Sequence, residues 1–206
     1  MGITAELASS IGRRDEQPNF WVAEDLADDP NPAAVTELVE TLTTAAPPLA
    51  SDAATALYRL AELDADQVAP HSAAIAALLD GRNNRLVWGA ATILHCVGAS
   101  RPDAVAPHVD ALIRAVSAGT VITQDHGVGA LAATRVPRAL DFAFEHLRTC
   151  GWHYVPLRAE RVAPFVGDRW AEFCDAVESR IPEQNVHGAR RIRRLVTESD
   201  PAGSRA

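Results

Sequence analysis

Two dipeptides in this chain set groups side by side that could do chemistry: His95-Cys96, a base next to a thiol, and Asp125-His126, a carboxylate next to an imidazole. Adjacent helical residues point to different sides of the helix, so neither pair is a working couple by sequence alone. Cys96 also lies inside "RLVWGAATILHCV", where apolar surroundings raise a thiol's pKa and suppress its reactivity, and core packing accounts for it. The remaining histidines, His71, His108, His146, His153 and His187, have no HxxxH or HxxE spacing that would place two ligands on one face. Cys96, Cys150 and Cys174 are far apart and odd in number, which fits neither a CxxC metal site nor a disulfide framework. Glycines occur singly, with no phosphate-cradling loop after a strand. All nineteen basic residues are arginine, which removes Schiff-base and P-loop lysine chemistry. No catalytic residue, metal or cofactor is assigned.

The densest charge is in "ARRIRRLV", Ala189 to Val196, where Ile192 and Val196 fall on the core side of a helix. His187, Arg190 or Arg191, and Arg194 share the polar side. A solvated terminal helix whose cations suit its C-terminal dipole is the simpler account, and contact with nucleic acid or a phosphopeptide is the functional one. Charge is uneven along the whole chain of 206 residues. Residues 1–80 carry three arginines against fourteen acids, a balance of −11, whereas residues 81–206 carry sixteen against thirteen, a balance of +3. An anionic ligand should favour the C-terminal part.

The elements that position these residues are repeated. "VAPH" occurs at 68–71 and again at 105–108, and the likeness runs on: Ala74 and Ile75 meet Ala111 and Leu112, and after a one-residue gap Gly89 meets Gly127. Self-similarity at a near-constant offset marks a repeated structural unit. Each unit reads as two helices. Pro70 and Pro107 sit in the opening turn of the first, which stops at Gly81 or Gly119, where a left-handed cap is easily made. The glycines and alanines of the second helix let a neighbour come close. Weaker copies flank this pair, giving about five helix pairs that start near residues 31, 67, 102, 137 and 168. Neither alternating strands nor hairpin turns are evident, so the fold class expected is all-α.

These units resemble a HEAT-type or armadillo-like α-solenoid over residues 31–198, with residues 1–30, including Phe20 and Trp21, as an N-terminal cap helix region and 199–206 as a frayed tail. The resemblance implies a right-handed α-α superhelix whose second helices line a concave face. Carrying the register from Trp88 by 38 residues reaches His126, and the looser downstream alignment reaches Arg158, then Arg190 or Arg191. Asn84 shares the helical face of Trp88. The stripe Asn84, Trp88, His126, Arg158, Arg190, Arg191 and Arg194 would suit a carboxylate- or phosphate-bearing partner, since arginine offers a planar fork of donors and tryptophan a stacking face. Exposed arginines that merely solvate a helix, and a tryptophan packed between helices, are the plainer alternative.

The expected function is therefore a non-enzymatic protein–protein interaction or scaffold module, with a protein partner on the concave face. The alternative is a nucleic-acid-binding protein that resembles, in architecture only, the HEAT-like alkylpurine DNA glycosylases. The acidic net charge of −8 counts against it. A helper of the short-HEAT kind found beside bilin-bearing proteins stands lower. No segment has the length and apolarity of a membrane span or the order of a secretory signal, so a cytoplasmic location is expected.

Overall fold

The computed structural model describes residues 2–198, and every regular element among them is helical. A short 3-10 turn at Ile3–Glu6 and helix α1 (Gln17–Asp28) precede five helix pairs. The first pair is α2 (Pro32–Thr44) and α3 (Pro47–Leu63). The second runs α4 (Ala65–Val68) and α5 (Ser72–Ala76), bridged and followed by 3-10 turns, then α6 (Asn84–Ser100). The third has α7 (Pro102–Val105), α8 (Val109–Ala118) and α9 (Val121–Ala133). The last two pairs are α10 (Pro137–Thr149) with α11 (Val155–Val162), and α12 (Trp170–Glu178) with α13 (Val186–Glu198). The tail expected at 199–206 lies outside the described residues.

Proline opens many of these helices because its missing N–H costs nothing there. Pro32, Pro47, Pro102 and Pro137 each begin one, and Asn31 adds a side-chain cap on the Ala34 amide at 3.2 Å. Pro70 and Pro107 behave differently from expectation. They fall midway through the first helix of their units, not in its opening turn. Each removes the N–H that would bond to the carbonyl four residues back, and the chain tightens into a 3-10 turn before resuming as α-helix. The two "VAPH" copies do this with nearly the same backbone: Val68 has φ −93° and ψ −29°, Val105 φ −99° and ψ −27°. A third copy, "VAPF" at 162–165, makes the same turn at Ala163–Phe165.

The glycine stops also differ from expectation. Gly81 (φ −74°) and Gly119 (φ −83°) are extended, not left-handed. Crowding explains glycine at 119: a Cβ there would run into the Ala115 carbonyl oxygen and the Thr123 side chain. Close approach of second helices is as expected, for at Gly98 a Cβ would lie 3.0 Å from Ala133 Cβ.

Helices α1, α3, α6, α9, α11 and α13 pack in that order, each against the next, as one layer. The first helices of the pairs form the other layer, α2 on α3, α8 on α9 and α12 on α13. Between the layers run two groups of buried side chains that meet at α9. Ala130 and Leu131 of α9 belong to the group reaching back to α1, whereas Val128 and Ala132 belong to the one reaching Ile192 on α13. This continuous core is what stacked helix pairs bury and a lone pair cannot. Among the described residues no helix is long and apolar enough to cross a membrane.

Candidate functional site

The second-helix layer carries its polar side chains in two connected groups around α9 and α11. The first is centred on Arg158, which is completely buried. Its Nε donates to Asp125 Oδ1 at 2.7 Å, Nη1 to His146 Nε2 at 2.8 Å and Nη2 to Gln124 Oε1 at 3.0 Å. The guanidinium also lies over the Tyr154 ring, 4.7 Å from its centroid. Arginine has only donors, so His146 accepts through Nε2 and its neutral ring carries the proton on Nδ1. Burial, with the Arg158 charge, holds the His146 pKa down at about 4.

Arg158 therefore departs from the expected stripe. A side chain with no exposed surface cannot be presented to a partner, and its chemistry is spent tying α11 to α9 and α10. The physical reason is the inter-unit partner: Asp125 sits one unit back and draws the guanidinium inward.

The second group lies at the surface of the same layer. Arg161 Nη1 donates to His126 Nδ1 at 2.8 Å, which fixes the His126 proton on Nε2. The His95 ring stands edge-on to His126 and to Phe165, with centroids 6.1 Å apart in each case. Gly129 lets this happen, because a Cβ there would lie 2.7 Å from His95 Nε2. Burial pushes the pKa of His95 down to about 3 and that of His126 to about 4, and the Arg161 charge adds to both effects. Both rings are neutral at physiological pH. Burial also pushes the Cys96 thiol up to about 12, as its apolar surroundings led us to expect, so it is not a poised nucleophile.

The other expected site residues are spread along the layer. Trp88 is half-buried, with the Arg85 guanidinium 5.7 Å from its ring centroid. Asn84 is exposed and lines a cleft of about 250 Å³ at the loop edge, beside the Arg114–Asp80 pair. Arg191 is exposed and grips Glu160 with two bonds of 2.9 and 2.6 Å. Arg190 and Arg194 are exposed on α13. The structure thus brings His126 together with Arg161, His95 and Phe165, and does not gather the expected residues into a single cluster. No group of three or more histidines, cysteines and acids among the described residues is placed to hold a metal ion.

Sequence reasoning missed Arg161, His95 and Asp125 as partners. A signal existed in the spacing of opposite charges by about one unit. Arg59 pairs with Glu24, Arg101 with Asp66, Arg114 with Asp80, Arg158 with Asp125 and Arg191 with Glu160, at separations of 31 to 35 residues. Most of these rungs are exposed, where water and salt leave an ion pair little net stabilisation. Arg158–Asp125 is the buried exception.

No family model and no curated protein matches the chain. Solved structures do share its architecture. One engineered protein is 16% identical, with a TM-score of 0.59 over 97% of this chain and 97% of its own. A second engineered protein is 18% identical, with a TM-score of 0.62 over 97% of this chain and 99% of its own. A designed armadillo repeat protein, solved in complex with the peptide (KR)4, is 11% identical, with a TM-score of 0.60 over 96% of this chain and 97% of its own. At these identities the likeness is one of fold, and in fold this chain is a HEAT/armadillo-like α-solenoid.

Proposed function

We propose that this chain is a non-enzymatic protein-binding module that holds an extended segment of a partner against the concave side of its second-helix layer. The observation that carries the reading is the run of accessible recognition groups across successive helices of that layer. Tyr58 on α3, Trp88 on α6, His126 on α9 and Arg161 on α11 are all partly exposed, and Arg190, Arg191 and Arg194 are exposed on α13. Ile122 and Leu157 add uncovered apolar surface, 48% and 37% exposed. Tyrosine, tryptophan and arginine are the side chains enriched among the few residues that dominate binding energetics. The designed armadillo protein that holds (KR)4 supports the reading by analogy of fold alone.

The test is selection of short unstructured peptides on the nuclease-treated, immobilised protein, followed by affinity measurement on Trp88→Ala. The reading expects a convergent peptide set whose affinity falls about tenfold in the variant while helicity is kept. Failure to select any peptide would refute it, as would affinity per folded molecule that is unchanged in Trp88→Ala.

A further inference from the structure

We infer that Arg161, framed by His126, His95 and Phe165, is the receptor for a carboxylate side chain, Asp or Glu, of an extended peptide. The inference deepens the peptide-binding reading above and rests on it.

Arg161 is a cation without an anion. A guanidinium has five N–H donors, and one is given to His126 Nδ1. Its Nε is buried and has no hydrogen-bond partner. The carboxylate whose charge reaches it, Asp125, is committed to Arg158 at 2.7 Å, and Glu160, its neighbour in sequence, to Arg191 at 2.9 and 2.6 Å. Nothing else in the cluster can neutralise the charge, because His95 and His126 are neutral rings and Cys96 stays a thiol. An unpaired buried donor on a charged group is costly, and the residue that carries it is otherwise partly exposed.

A carboxylate is the anion that fits. It takes two N–H bonds from a guanidinium, and the terminal nitrogens of this partly exposed residue, of which only Nη1 is engaged by His126, offer them. Phe165 and the His95 ring, set edge-on to one another, form a wall for the aliphatic stem of the incoming side chain. A phosphate group, with nearly twice the charge, is held best where several cations converge. Here the neighbouring guanidinium, Arg158, is buried and spent on Asp125. A single accessible guanidinium flanked by neutral rings therefore selects a monoanion.

The experiment follows the Arg161 Nε–H and the His126 ring by NMR in the full chain. Sodium acetate is titrated at constant ionic strength against sodium chloride, and inorganic phosphate is titrated separately. Acetate should shift the Arg161 Nε–H saturably and raise the His126 pKa, since the bound anion offsets the guanidinium charge. Arg161→Gln should abolish both responses, with backbone amide shifts of α2 and α8, away from the cluster, and helicity reporting that the fold is kept. Acetylated, amidated peptides that differ only by Glu, Gln or Arg at one position then test the occupant. The Glu peptide should bind at least about tenfold tighter than the other two, and Arg161→Gln should erase that preference. The inference is overturned by acetate behaving as chloride does, by saturation with phosphate alone, or by a peptide preference that survives Arg161→Gln. Peptides that bind without regard to charge would overturn it while leaving the peptide-binding reading in place. Acetate binding with no peptide of any charge bound would overturn that reading and, with it, the peptide occupant.

Discussion

Replacing Arg158 with methionine removes the most enclosed cation among the described residues while keeping much of its volume. The substitution deletes three donors at 2.7, 2.8 and 3.0 Å and leaves Asp125, only 8% exposed, as a buried anion without its partner. Breaking one side of a buried ion pair costs about 3–5 kcal/mol, most of it the penalty on the charge left behind. In a chain of this size each kcal/mol moves the melting temperature by about 2–4 °C, so Arg158→Met should lower it by about 6–20 °C. Asp125→Asn alone should cost a similar amount by stranding the guanidinium. The double variant should recover at least about 1 kcal/mol of the summed single losses, because neither charge is then stranded. Urea unfolding of the four proteins measures all of this. A cost below about 1 kcal/mol for Arg158→Met, the size of an exposed pair, would refute the account of Arg158 as an interior tie between α9, α10 and α11.

Two further outcomes follow from the same geometry. The pKa values of His95, His126 and His146 lie at about 3, about 4 and about 4 against an ordinary 6.5, so the unfolded chain takes up protons that the native rings refuse. Stability should be full above pH ~6.5 and fall as pH drops toward ~4, with a slope of up to about 1.4 kcal/mol per pH unit for each histidine. Solvent screening lowers the share of His126 and His146; unfolding free energy measured across that window, if flat, would contradict the burial of the rings. Gly129→Ala places a methyl group 2.7 Å from His95 Nε2, and the displaced ring should cost about 1–3 kcal/mol and weaken the His95–Phe165 contact. Thermal melting with the His95 ring signals as local probe checks it.

Much of the fold was legible because its determinants are local. Prolines at helix starts, the 37-residue recurrence of "VAPH" and the small residues of α6 and α9 each act within a unit or between neighbours. The turn geometry was less so. Glycine at 81 and 119 suggested left-handed caps, yet both residues are extended, because at 119 the constraint is crowding by Ala115 and Thr123 and not backbone handedness. The third turn copy escaped notice since "VAPF" follows the second helix of its pair, out of phase with the other two.

The site was the least legible part. Whether an arginine faces solvent or the interior depends on a partner one unit away, and spacing along one helix does not reveal it. Arg158 and Arg161 are three residues apart on α11, yet one is buried against Asp125 and the other remains accessible beside His126. Cross-unit pairing of charges, with partners 27 to 35 residues apart, is the pattern that would have separated them, since Arg161 has no acid at any of those distances.

The central functional claim is that the second-helix layer is the binding face. Chemical-shift mapping of a selected peptide onto the full chain tests it most directly. The account predicts perturbation of the Trp88 indole N–H, the His126 ring and the Arg161 Nε–H, with α3, α6, α9 and α11 affected and the first-helix layer quiet. Perturbation confined to α2, α8, α10 and α12 would contradict it.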